Sequence, residues 1–265
     1  MANRRSIRGL SNDQLGQLRA AYTRFQNIGD PRGYHFFASL HGLPLPTFCV
    51  HGGPLFLPWH RAYLYFFELY LQDAARDEGI ADADDIGIPW WDWTSDVSHE
   101  EGLPPAYTES QAGGTENPLF TAKVDDWPRS LLADVREQAP GALDAEGATL
   151  RDSELPDELP RKATIEDILA STTYDDFTKR LENVHGGVHV WIGGTMSQVA
   201  TAAYDPIFWS HHSMIDRLWH MWQMRHPGAT PPPILDSALP PFPMTVAQTL
   251  DIVPLGYEYT IQSIS

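Results

Sequence analysis

Six histidines of this chain fall into two groups of three whose spacing could hold a reactive metal ion. The first group is His41, His51 and His60; the second is His185, His189 and His212. Three neutral imidazoles with an open position make an active metal site, and imidazole suits copper, zinc, iron and nickel. His51 and His60 stand nine positions apart, with Gly52, Gly53, Pro54 and Pro58 between them. On one continuous helix nine residues at about 100° each would set them on opposite faces. The glycines and prolines forbid such a helix. His51 is therefore expected on a loop, and His60 in the first turn of a helix opened by Pro58. His185 and His189 are four apart, which on a helix gives one shared face. His211 and His212 adjoin each other about 100° apart on a helix, so only one of them is expected to face a given metal. Any one of these histidines alone would be explained as well by a buried ring donating to a buried acceptor. His99, His220 and His226 have no histidine partner at a suitable spacing and are read as packing residues. His35 is the rival of His41.

The elements that must position these rings are mostly helical. Ser11-Asn-Asp-Gln14 reads as a capping box opening a helix over about 12–27. Tyr34 to Leu40 reads as a short helix that carries His41 at its end. From Pro58 to about Ala75 the residues are apolar nearly all round, the mark of a buried helix. Tyr174 to Val184 is helical by pattern, capped by Thr172 or Thr173. Pro206 to Gln223 is the last long helix. Residues 96–160 are rich in Pro, Gly, Asp and Glu, and read as a long irregular excursion with a short helix from Trp127 to Glu137. Pro227 to Pro243 reads as irregular. The fold class expected is mainly α, a four-helix bundle with the metal pair in its core and long irregular loops outside, as one domain over residues 1–265.

The 265 residues carry a net charge of −17. That excess of acid argues against nucleic acid or an anionic membrane surface as partner. No signal peptide and no membrane span are expected, because no apolar run follows the basic N-terminus. The cytoplasm is the expected location, although export with a partner protein would leave no trace in such a sequence. Cys49 is the only cysteine, so no intramolecular disulfide is expected.

Taken together these stretches resemble the central domain of the type-3 copper proteins: tyrosinases, catechol oxidases and molluscan haemocyanin units. The first copper motif of that family is met by His51, Phe56, Trp59, His60, Arg61 and Glu68. The second is met by Asp205, Pro206, Phe208, His212 and Asp216. The pattern selects His212 over His211 as ligand. The resemblance implies two copper ions as cofactor, with O2 as co-substrate and a small phenol as substrate. It implies oxidation of o-diphenols, with o-aminophenols and, weakly, monophenols as further substrates, to o-quinones. A haemocyanin-like dioxygen carrier with little turnover is the alternative it leaves open, as is a copper-delivery partner. Di-iron bundles use Glu with Glu-x-x-His, and these groups offer no such carboxylates.

Several further expectations rest on the same resemblance. Cys49, two residues before His51, stands where some members carry a thioether bond to the copper histidine. Glu182 matches a glutamate that helps hold a water near the metals in tyrosinases. The asparagine that assists it is replaced by Gly186, and the position after the next histidine is Val190, also non-polar. Val199 is expected over the first copper, where a small side chain keeps the site open. Glu68 and Asp216 are each expected to accept the second N–H of a ligating imidazole, or to pair with Arg61 or Arg217. Tyr257 and Tyr259 are expected to pack on Arg4 or Arg5 through a cation–π contact. A C-terminal shielding domain is not expected.

Overall fold

The computed structural model of the chain describes residues 1–42, 48–124, 131–229 and 234–260. Helices α1 (Asn12–Gln26), α2 (Tyr34–His41) and α3 (Phe56–Asp77) come first. The short α4 (Asp96–Glu101), α5 (Pro105–Thr108), α6 (Leu131–Gln138) and α7 (Lys162–Leu169) follow, then the long α8 (Tyr174–Ile192) and α9 (Ile207–Arg225). Strand β1 (Ala2–Arg4) pairs in parallel with β4 (Tyr257–Tyr259), with Arg4 opposite Tyr259, and β2 (Gln111–Ala112) with β3 (Thr115–Glu116) makes a small hairpin. Helices α2, α3, α8 and α9 carry all the candidate ligands except His51 and surround the site. Among the described residues no helix is long and apolar enough to cross a membrane.

Local chemistry explains where these helices begin. The Ser11 hydroxyl accepts the Gln14 N–H at 3.2 Å while the Gln14 side chain accepts the Ser11 N–H at 3.0 Å, the reciprocal cap expected for α1. Thr173 caps α8 by accepting the Asp176 N–H. Helix α3 opens at Phe56, two residues before Pro58. The proline's missing N–H then falls among the donors that lack a helical partner anyway. His60 is consequently the fifth residue of the helix, just past its first turn. Helix α8 runs on past Val184 through Gly186 and Gly187 to Ile192, so His185 and His189 share one face. The two glycines cost roughly 1 kcal/mol each against alanine.

The segment 96–160 departs from the irregular excursion expected of it. Within it lie α4, α5, the hairpin and α6, and Leu119, Ala122 and Val124 join the core. Its Pro and Gly content breaks the chain into short elements that tertiary packing still holds. The expected helix from Trp127 is described only from Leu131; Trp127 itself, like residues 230–233 of the proline-rich stretch, lies outside the described residues.

A buried charge network ties both ends of the described residues to α3 and α9. Arg4, fully buried, donates to Glu68 at 2.8 Å and 3.3 Å, to Asp216 at 3.1 Å and to the Tyr259 hydroxyl at 3.1 Å. Arg61 donates to the other Asp216 oxygen at 2.5 Å. Tyr257 and Tyr259 donate to Asp216 at 2.8 Å and 2.6 Å. Two guanidinium groups thus balance two carboxylates. Burial alone would raise the Asp216 carboxyl, but Arg61 and Arg4 hold it below its usual range. The Arg4 guanidinium also lies 3.5 Å from the Tyr257 ring centre, which settles the cation–π partner in favour of Arg4. Glu68 and Asp216 are thus engaged by Arg4, Arg61, the two tyrosines and the Ile88 N–H, not by a candidate metal ligand. A carboxylate held by a buried guanidinium gains more than one held by a neutral imidazole, so the arginines win it.

Arg4→Ala leaves two carboxylates short of a buried partner and is expected to destabilise the protein by about 3–5 kcal/mol. Urea unfolding followed by circular dichroism measures this. Arg5→Ala, at an exposed neighbour, is expected to stay within about 0.5 kcal/mol of the parent.

Candidate metal centre

The two histidine groups face each other across the middle of the bundle. His41 ends α2, His51 stands on the loop before α3, and His60 sits in α3. His185 and His189 project from α8, and His211 and His212 from α9. The structure brings together His41, Cys49, His51 and His60 in one group, with one donor atom from each lying within 4.8 Å of the others. His185, His189, His211 and His212 form a second group by the same measure. The rings of His60 and His212 stack across the gap at 4.5 Å, and those of His51 and His185 at 5.9 Å.

Backbone carbonyls decide which nitrogen of each ring is free. A carbonyl can only accept, so the nitrogen facing it carries the proton. Nδ1 of His41 donates to Val199 O at 2.7 Å, Nδ1 of His60 to Phe56 O at 2.8 Å, and Nδ1 of His189 to Met196 O at 2.9 Å. Each therefore turns an unprotonated Nε2 to the interior. Two glycines make this possible. At Gly42 an added Cβ would come within 2.4 Å of Ala200, so only glycine lets the chain bring the Val199 carbonyl onto His41. At Gly193 a φ of 70° turns the chain out of α8 so that Met196 comes back to His189.

Nε2 of His212 lies 3.2 Å from Nε2 of both His185 and His189. The edge of a tetrahedron with metal–nitrogen bonds of about 2.0 Å is about 3.3 Å. Burial first, and then the neighbouring imidazoles, push His41 down to about 3, and burial pushes His189 down to about 4; His60, His185 and His212 are held well below their usual value for the same reasons. Protons are thus poor occupants of the space between these nitrogens, and a metal cation satisfies the converging lone pairs. Among the described residues neither group includes a carboxylate. This donor set suits copper and does not suit a di-iron centre.

Other histidines behave as the sequence suggests, with one exception. His99 and His226 face backbone carbonyls, His220 lies beside Tyr259, and His35 stacks on Tyr204 outside both groups. His211 is not expected to face the same metal as His212, yet it belongs to the second group, where its ring packs flat on His185 at 5.2 Å. The step of about 100° separates the two Cα–Cβ directions, but rotation about the two side-chain bonds of each histidine still brings the rings to 5.3 Å between centres.

Cys49 sits among the first three rings. Its sulfur is 3.0 Å from Nε2 of His41, 3.4 Å from Nε2 of His60, and 3.4 and 3.6 Å from the two ring nitrogens of His51. Near-equal distances to both His51 nitrogens place the sulfur on the plane that bisects that ring through Cε1.

A cavity of about 260 Å³ opens onto both groups, its walls formed by Glu182, Gly186, Val190, Met196, Ser197 and Val199 beside four of the histidines. Pockets for drug-sized ligands run from roughly 300 Å³ upward, so this one suits a single small ring. A larger hollow of about 670 Å³ between α1 and the 110–124 segment lies away from both groups. Val190 is 64% exposed and Val199 52% exposed, so both stand at the mouth. Val199 also acts through its carbonyl, on His41. Met196 and Ser197 belong to the turn after Gly193 and Gly194, the stretch of small residues that the resemblance puts near the substrate entrance, and both line the wall. The Glu182 carboxylate forms part of the wall and accepts the Gly52 N–H at 2.6 Å. Burial raises its carboxyl above the usual range, partly offset by that bond.

Comparison with known proteins agrees with this geometry. Residues 31–225 match the family model described as the common central domain of tyrosinase. The chain is 35% identical to a tyrosinase of Streptomyces glaucescens over 201 residues, 68% of this chain and 66% of that protein's length. It is 31% identical over 238 residues, 83% of this chain, to an A-type hemocyanin of Enteroctopus dofleini, and covers 18% of that much longer protein. A functional unit of octopus hemocyanin superposes with a TM-score of 0.79 at 28% identity, covering 98% of this chain and 68% of that one.

The Cys49 sulfur yields a mass test. Protein matured with copper and oxygen is expected to weigh two hydrogens less than its sequence, with Cys49 resistant to alkylation after denaturation. An unchanged mass and rapid alkylation would show an ordinary thiol.

Proposed function

Since the chain belongs to the type-3 copper family of tyrosinases and haemocyanins, whose members hold two copper ions, we propose that it oxidises o-diphenols to o-quinones with O2. His41, His51 and His60 would hold one copper, and His185, His189 and His212 the other. When bound, the pair supplies a binding place for O2 and a two-electron acceptor for the phenol. Overall, two diphenols give up four electrons and four protons to one O2, leaving two quinones and two waters. The observation that carries the reading is the open, small cavity standing over both histidine groups.

The residues of the wall decide which phenol fits. Val190, Val199 and the bare backbone of Gly186 offer an apolar slot for an aromatic ring. A diphenol presents two oxygens to the two metals. A monophenol must first lose a proton held with a pKa of about 10, so a base has to assist it. Glu182 lines the cavity, but one of its oxygens is engaged by Gly52 and neither Gly186 nor Val190 can help it hold a water. Catechols, ring-substituted catechols and o-aminophenols are therefore the favoured substrates, and monophenols the poor ones. The haemocyanin relatives favour a second reading, dioxygen carriage without turnover. The half-exposed valines at the mouth weigh against it, because a carrier is better served by a covered site.

Copper-loaded protein is expected to contain two coppers per chain and to consume oxygen with 4-methylcatechol. His60→Ala and His212→Ala should each lose one copper and all turnover. Two coppers with no oxygen consumption on any catechol or o-aminophenol would favour the carrier, and full activity in either variant would end the ligand assignment.

Gly186→Asn tests the wall. A Cβ at Gly186 meets nothing within 4 Å, so the new side chain can start from α8 without displacing a neighbour. One added hydrogen bond in the transition state, about 1.4 kcal/mol, is expected to raise the monophenol-to-diphenol rate ratio about tenfold. A wild type that hydroxylates tyramine without a lag, as fast as it oxidises the matching catechol, would contradict this account of the wall.

A further inference from the structure

We propose that Glu182 is a positioning residue that clamps the His51 loop to α8 and so presets a ligand of the first metal group. The inference rests on the two-copper reading above.

His51 differs from its five companions. It is the one on a loop, and its ring is exposed where the others are buried. Both its nitrogens lie near the Cys49 sulfur, at 3.4 and 3.6 Å, whereas Nδ1 of His41, His60 and His189 donates to a backbone carbonyl. The residues that follow it, Gly52 with φ 72° and Gly53, are permissive backbone. Left alone, such a loop would sample many positions, and ordering it would fall on metal binding.

Two side chains of α8 reach across and hold it. Glu182 Oε1 accepts the Gly52 N–H at 2.6 Å, between residues 130 apart in sequence. About two turns earlier on the same helix the Tyr174 hydroxyl donates to Pro54 O at 2.8 Å. The first bond fixes the residue next to His51; the second fixes the far end of the turn. Glu182 is also three residues before His185. The helix that supplies two rings of the second group thus sets the loop that supplies one ring of the first, and the two groups are held at a common spacing. The bond requires an oxygen acceptor at that place, not a negative charge, which separates this role from that of a base.

Glutamine keeps the acceptor and loses the base; alanine loses both. Copper-loaded wild type, Glu182→Gln, Glu182→Ala and Tyr174→Phe are equilibrated with graded concentrations of a competing copper chelator, and the copper left on each chain is measured. Glu182→Ala is expected to release one of its two coppers at about 10–100-fold lower chelator than wild type, the usual loss when a group that orients a ligand is removed. The second copper should stay, Glu182→Gln should follow wild type, and Tyr174→Phe should shift in the same direction by less. Thermal melts of the copper-free proteins check that each variant folds; should Glu182→Ala fail to fold, Tyr174→Phe still reads the clamp. Retention of both coppers by Glu182→Ala at wild-type chelator levels overturns the proposal, as does a Glu182→Gln variant that behaves like alanine. A carboxylate acting only as a base would leave copper retention unchanged in all three variants. Wild type that takes up fewer than two coppers would defeat the two-copper reading instead.

Discussion

The structure depends on an arrangement that would be unfavourable without a cation: unprotonated ring nitrogens, buried and aimed at one another. Three of the rings have their tautomer fixed by a backbone carbonyl, so their inward lone pairs cannot be relieved by moving a proton within the ring. Burial makes external protonation costly as well. What remains is a metal ion, and the histidine-rich, carboxylate-free groups choose one that tolerates neutral nitrogen donors. The site is thus built by the backbone as much as by the side chains. The carbonyls of Phe56, Met196 and Val199 take the part that carboxylates play in many other metal sites.

Directly behind the rings lies the charge network. Arg61 follows His60 in α3, and Asp216 lies four residues beyond His212 in α9, on the same helix face. Their 2.5 Å bond therefore locks the two helices next to the stacked His60 and His212 rings. Arg4 and the two tyrosines of β4 extend this lock to both ends of the described chain. A desolvated network of this kind adds little net stability over apolar packing, but removing one member is costly. Its value here is geometrical: it permits one relative placement of α3 and α9, and the site needs one.

The wall of the cavity divides labour between side chains and main chain. Val190 and Val199 shape the entrance, Gly186 leaves room, and Glu182 spends one oxygen on the loop that carries His51. A carboxylate committed to structure is less free to move a proton, so one residue of the cavity wall also holds the loop that carries His51. The half of the site that is most exposed is also the half whose ligand is least constrained by helix geometry.

Much of this was legible in the residues alone. The helical cores of α1, α3, α8 and α9 follow from periodicity and caps such as Ser11 and Thr173, because those signals are local. The six histidines were legible because their spacing and the long motifs around them are local too, and the structure brings all six together. The partners of those rings were not. Of the two partners open to Glu68 and Asp216, arginine wins: Asp216 takes the expected Arg61, both take Arg4, and the imidazoles turn to carbonyls from Val199 and Met196. His211 comes closer to the second group than its position on the helix suggested. The Glu182–Gly52 bond joins residues 130 apart, and no periodicity reports such a pair. Sequence by itself determined which residues could ligate and which segments would be helical, since both depend on neighbours within a turn or two. Only the tertiary structure decided which nitrogen of each ring faces inward and which carboxylate meets which cation, because those choices are settled by competition among groups that only packing brings within reach.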